Sequence, residues 1–233
     1  MAMELHSGVP QNDQAPNQVG TLAIDLGNTT TVVAFQGEQD TSPRLLHLPP
    51  ISRVQGEVPS ILWCQNAKDP NLLVGQQVLL SGLAGKDGPG IYKDFKRWIG
   101  EPCPPNFVSS NLLPEKAGEL LLQQIWQRLP PQLKIKRLVL TAPVESYRTY
   151  RSWISDVCDS LPVEEVALVD EPTAAAMGAG LPSGSKLLVV DIGGSTIDLS
   201  LVALEGGEGR AEPIAQLLRF GVQNLQNRSR QAL

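Results

Sequence analysis

The chain has 233 residues, 42% of them hydrophobic, enough to bury a substantial core in one large or two smaller domains and too apolar for a disordered chain. Against 19 basic residues stand 24 acidic ones, a net charge of −5, and no basic cluster interleaves with aromatics, so a nucleic-acid interface has no support. Cys64, Cys103 and Cys158 are widely spaced with no C-x-x-C pair, and only His6 and His47 could join them, which argues against a disulfide framework and structural zinc.

No basic stretch followed by an apolar run opens the chain, and the longest apolar runs are strand-sized; a cytoplasmic protein without a membrane span is expected. Residues 1–19 hold Gly8, Pro10, Asn12, Asp13, Pro16 and Asn17 with scarcely any apolar content, the composition of a flexible leader. From about Thr21 to Phe35 the chain reads as a β-hairpin, followed by a polar loop, Gln36 to Ser42. VPSILW, Val58 to Trp63, predicts one short strand announced by Pro59, and Leu72 to Leu83 a strand running into a helix. Gly85 to Gly90 is a loop whose Gly85-Lys86 pair fails the Walker pattern at both Leu80 and Asp87. In YKDFKRWIG, Tyr92, Phe95, Trp98 and Ile99 alternate with Lys93, Lys96 and Arg97, a compact element that Cys103 to Pro105 breaks.

Between Glu115 and Leu129, Ala117, Leu121, Ile125 and Leu129 recur at helical spacing until Pro130 and Pro131 end the helix. KRLVLT, Lys136 to Thr141, is a buried strand running into Ala142-Pro143; Ser146 can cap a helix from Tyr147 to about Ser160 with Tyr150, Trp153, Ile154, Val157 and Cys158 on one face. Val166 to Val169 is a strand, and Asp170-Glu171-Pro172-Thr173 opens a helix built on Ala174, Ala175 and Ala176. This alternation predicts an α/β domain. Gly178-Ala179-Gly180 is no dinucleotide fingerprint, because the third position falls at Ser183 and the segment precedes a strand.

VVDIGGSTIDLSLV, Val189 to Val202, is a second hairpin, with a further strand at Ala211 to Phe220. Its tip, Gly193, Gly194, Ser195 and Thr196, can turn several N–H groups into one concavity for phosphate oxygens, faced by Asp191 at the end of the incoming strand. LAIDLGNTTTVVAF, Leu22 to Phe35, repeats the unit in register: Asp25 matches Asp191, Gly27 matches Gly193, Asn28 matches Gly194, Thr29 matches Ser195 and Thr30 matches Thr196. A repeat so widely separated suggests two domains, each offering one hairpin tip to a shared cleft.

The blocks DLGNTTTVVAF, VPSILW, KDFKRWIG, LVLTAPVESYRTYR, VDEPTAAAMGAGL and VVDIGGSTIDLSLV, over roughly residues 20–205, resemble the ATPase domain of the heat-shock protein 70 chaperones, whose relatives include actin and the hexokinase-like sugar kinases. The resemblance implies an α/β, ribonuclease H-like lobe with duplicated phosphate-binding hairpins, residues 20–184 forming the first lobe with a reduced small subdomain and residues 185–233 the beginning of an incomplete second. It implies ATP or ADP with Mg²⁺: Asp25 and Asp191 hold the metal through its waters, Gly27, Asn28, Thr29 and Thr30 form the first phosphate turn, and Gly193, Gly194, Ser195 and Thr196 the second. Lys96 matches the lysine that reaches the γ-phosphate, Glu171 the carboxylate that orients the attacking water, and Pro143 and Arg151 an interdomain relay.

Two departures stand out: Asn28 occupies a position usually held by Thr, and Ser195 replaces a third Gly, changes expected to slow catalysis. With the adenosine-binding segment and a peptide-binding domain expected to be missing, the chain is read as a weak or inactive ATP hydrolase. Co-chaperones and unfolded polypeptide would be partners only of a longer form. A sugar or acyl kinase, an actin-like filament protein and a non-catalytic interaction fragment are the alternatives.

Overall fold

A computed structural model of the chain describes residues 17–85, 90–102, 112–144, 147–192, 197–207 and 210–218. The second hairpin tip, Gly193 to Thr196, lies outside the described residues, as do Ser146, Cys103 to Pro105 and most of the expected leader. Strand β1 (Gln18–Leu26) begins two residues before the expected lobe boundary, because Gln18 to Gly20 find parallel partners in Leu133 to Ile135. Gly20, Leu22, Ile24 and Leu26 alternate onto its buried side, the period of two that a half-buried strand requires. β2 (Thr30–Gly37) returns antiparallel, with Phe35 opposite Leu22 and Val33 opposite Ile24, so both strands bury one continuous face.

At the turn, a Cβ on Gly27 would stand 2.2 Å from the Thr30 carbonyl oxygen, a close approach only glycine allows. β3 (Arg44–Leu45) and β4 (Glu57–Pro59) both pair with β2. The VPSILW stretch is therefore not one strand. It breaks at the buried Ser60, after which β5 (Ile61–Trp63) joins a separate three-stranded sheet with β6 (Leu73–Val74) and β7 (Ile91–Lys93). The corner is fixed by Ser60 N–H donating to the Thr29 carbonyl at 2.8 Å and by a Ser60–Thr31 hydroxyl pair at 2.9 Å.

A short helix, α1 (Gln76–Leu80), follows β6, and a 3-10 turn (Lys96–Trp98) follows β7. α2 (Pro114–Gln127) buries Ala117, Leu121 and Ile125, one helical face, against the six-stranded sheet core. β8 (Leu133–Ala142) lies parallel to β1, and α3 (Tyr147–Cys158) crosses to β9 (Glu165–Asp170), which is parallel to β8, giving the order β3-β2-β1-β8-β9. Tyr150, Ile154 and Cys158, spaced by four, are the buried stripe of α3. Leu22, Leu26, Phe35, Leu121, Ile125 and Ile154 are fully buried, each worth about 1.5–3 kcal/mol of transfer free energy.

α4 (Glu171–Gly178) opens directly after β9, capped by the Asp170 side chain, which accepts the Thr173 N–H at 3.0 Å. A second sheet follows, β10 (Lys186–Ile192), β11 (Ile197–Gly207) and β12 (Arg210–Leu218), antiparallel throughout. Val202, Leu204, Leu187 and Val189 pack with Ala176 of α4 into a small second cluster.

Candidate functional site

Parallel strands β1, β8 and β9 all point their carboxyl ends the same way, and the chain follows that edge into turn, helix or helix N-terminus. There stand the residues on which sequence reading converged. Asp25, next to last in β1, accepts a hydrogen bond from the Thr141 hydroxyl of β8 at 2.5 Å. This follows from register: Ile24 pairs with Leu140, so the next residues along both strands sit side by side.

The Lys96 side chain, only 9% exposed despite its position among aromatics and basic residues, forms an ion pair with Glu171, the first residue of α4. Two left-handed residues aim that lysine: Asp94, with φ 57°, turns the chain out of β7, and Gly100, with φ 77°, turns it away after the 3-10 segment. Gly100 N–H donates to the Glu115 carboxylate at 3.0 Å, and Trp153 Nε1–H of α3 donates to the Glu115 carbonyl at 3.1 Å, so the turn is pinned to both α2 and α3.

Burial raises the Glu171 carboxyl above its ordinary value; Lys96 opposes the shift, and the charges of Asp25 and Asp191 add to it. One lysine and three carboxylates thus share one electrostatic field. Asp191 lies next to last in β10, the same place Asp25 holds in β1. Directly across the second hairpin from Asp191 is Asp198 of β11, a fourth acid.

The first turn departs from a purely phosphate-facing role. Asn28 Oδ1 accepts the Arg97 N–H at 3.0 Å, tying the turn to the lysine-bearing segment, and the Thr29 carbonyl accepts from Ser60. Thr30 opens β2, half-buried. Gly193, Gly194, Ser195 and Thr196 are outside the described residues. Pro143 directly follows β8, and Arg151 is exposed on α3, beside a groove that runs along β9 past Ser155 and Val166 and holds none of the acids just named.

Three residues were not read from sequence as part of a site: Thr141 and Tyr150 at this edge, and Asp198 in the second sheet. Asp198 was readable in principle, since a hairpin closing on four residues puts it opposite Asp191; Thr141 and Tyr150 needed the parallel β1–β8 register and the packing of α3. Among the described residues no three His, Cys, Asp or Glu side chains gather closely enough to ligate an ion directly, and no helix is long and apolar enough to cross a membrane.

Residues 115–208, from α2 through the second hairpin and so including Thr141, Glu171 and Asp191, match the family model described as MreB/Mbl protein. The fold is that of the actin-like ATPases. The chain is also similar to Chaperone protein DnaK of Metamycoplasma hominis, 27% identical over 192 residues, which make up 80% of this chain and 30% of that protein. The chain therefore spans less than a third of that relative's length.

Proposed function

We propose that this chain is a nucleotide-binding part of a heat-shock protein 70-type ATPase, whose phosphates lie between the two hairpin turns. The observation that carries this reading is that Lys96 pairs with Glu171 at the sheet edge that also holds Asp25, while Asp191 of the second sheet lies near enough for its charge to act on Glu171. Paired carboxylates at equivalent strand ends fit Mg²⁺, a small cation that keeps several of its waters, and Asp25 and Asp191 would hold it through them. Bound there, the metal supplies charge neutralisation between phosphates. The N–H groups of residues 27–30 and 193–196 would cradle the phosphate oxygens.

Lys96 offsets charge developing on the transferred phosphoryl group, and Glu171, with a raised carboxyl, orients and deprotonates the attacking water. Lys96 must then exchange its carboxylate partner for phosphate. Pro143 and Arg151 relay nucleotide state to a further domain in a longer form, where co-chaperones and unfolded polypeptide are the partners.

A second reading, an MreB-like ATPase, draws on the family match over residues 115–208. Nucleotide-dependent light scattering separates the two, a rise favouring assembly. The direct test of the shared nucleotide site is calorimetry with Mg-ADP: the chain binds, and Asp191→Ala loses most of the affinity, because a diphosphate without its metal faces Asp25 as a like charge. Unchanged affinity in Asp191→Ala would falsify the assignment.

A further inference from the structure

Tyr150 stands in the first turn of α3, just beyond the carboxyl end of β8, at the same sheet edge as Asp25, Thr141 and Glu171. Its ring is completely buried, edge-on to Trp153 with centroids 5.1 Å apart, and its hydroxyl has no hydrogen-bond partner among the described residues. An aromatic needed only for packing gains nothing from that oxygen. Burying a hydroxyl without a partner is destabilising, a cost that phenylalanine in the same place would avoid.

The surroundings indicate what the hydroxyl serves. Burial first, then the negative charges of Glu171 and Asp25, hold the phenol well above its ordinary titration range, so it is a donor at every working pH. Lys96 occupies Glu171 Oε1, and the other carboxylate oxygen has no partner among the described residues. The segment carrying Lys96 also touches the first turn of α3, since a Cβ on Gly100 would meet the Thr149 hydroxyl at 2.5 Å. The lysine turn therefore touches both the start of α3, at Thr149, and the start of α4, at Glu171.

We propose that Tyr150 is a positioning residue of this site, its hydroxyl donating to Glu171 across one bridging water and holding that carboxylate in place when Lys96 turns to a phosphate. The inference rests on the nucleotide reading for its timing, but removing the Lys96 ammonium by mutation tests the Tyr150–Glu171 link without nucleotide. Glu171 has two donors in alternation. Lys96 holds it in the free site, and Tyr150 holds it once the ammonium has moved away. A partner exchange of this kind keeps the carboxylate oriented at the moment when its ion pair is broken.

The test follows Glu171 itself, by carboxyl ¹³C NMR of glutamate-labelled protein assigned with Glu171→Gln. The groups facing Glu171 are Lys96 from the 3-10 turn, Asp25 from β1, Asp191 from β10 and Tyr150 from α3, and only the first and last are varied. In a Lys96→Met background, which keeps the aliphatic stem, Tyr150→Phe raises the Glu171 midpoint by about half a unit or more, since a donor to the ionised form is lost. With Lys96 present the shift is smaller.

A Glu171 midpoint that does not move in the Lys96→Met background would overturn the proposal and leave Tyr150 a packing residue. A parallel arm titrates Mg-ADP into the wild type and into Tyr150→Phe with Lys96 intact, where about tenfold weaker binding is expected, the size of one lost hydrogen bond. A wild type that binds no nucleotide ends the functional reading alone, and the titration still decides the role of Tyr150.

Discussion

Lys96 and Glu171 set the character of the site, and their pairing has a sign that pH can read. The Glu171 carboxyl is raised by burial in the folded chain, so between the ordinary glutamate value and that raised value the folded state binds more protons than the unfolded. Its contribution to stability is therefore fully present below the ordinary value and is lost as pH rises through the raised one. The melting temperature of the wild type should fall relative to Glu171→Gln as pH is raised through it; a difference that is flat or grows the other way would show that Glu171 ionises as easily in the fold as outside it.

That lysine also marks the limit of sequence reading. YKDFKRWIG names Lys96 as a candidate only through resemblance, because a basic residue between aromatics reads equally well as a solvated face. What pairs with it is Glu171, 75 residues away.

Among the elements, the hairpins and the amphipathic helices were legible because their periods, two and 3.6, are local properties of the chain. β1, β2, α2, α3 and α4 lie close to where alternation, helical spacing and the Asp170 cap put them. VPSILW was not legible as two strands. Its break at Ser60 depends on partners in β2 on one side and in β6 and β7 on the other, and no local pattern announces that switch.

The 3-10 turn that carries Lys96 is a similar case, fixed by two backbone turns of unusual handedness. Gly100→Ala sets a Cβ at φ 77° and 2.5 Å from the Thr149 hydroxyl, so it should lower stability by about 1–3 kcal/mol in urea unfolding and displace the lysine from Glu171. A neutral change would mean that the turn tolerates a different path.

At the scale of the whole molecule the two sheets differ in how they are covered. β10 and β11 turn Leu187, Val189, Val202 and Leu204 toward α4, while their other face offers Leu188, Val190, Ile192, Ile197 and Leu199, 37–73% exposed. Leu188 pairs with Leu201, Val190 with Leu199 and Ile192 with Ile197, so these side chains form one continuous apolar surface. Aliphatic residues on both faces are the pattern of a sheet meant to be covered twice, and an open one invites association. Sedimentation should show concentration-dependent self-association that Val190→Thr with Ile197→Thr reduces. A monodisperse monomer at high concentration would count against it.

The contacts that build the site share a further property, their span along the chain. Thr141 to Asp25 closes 116 residues, Lys96 to Glu171 closes 75 and Arg97 to Asn28 closes 69. Nothing local holds these groups together, so each closure is charged against chain entropy before it is repaid by packing. On a ribosome the first hairpin would emerge long before its acid had a neighbour. The hydrophobic core of the first sheet can condense early, but the constellation at its edge exists only after β9 and the start of α4 have left the exit tunnel, and during synthesis the chain is a folded scaffold before it is a site.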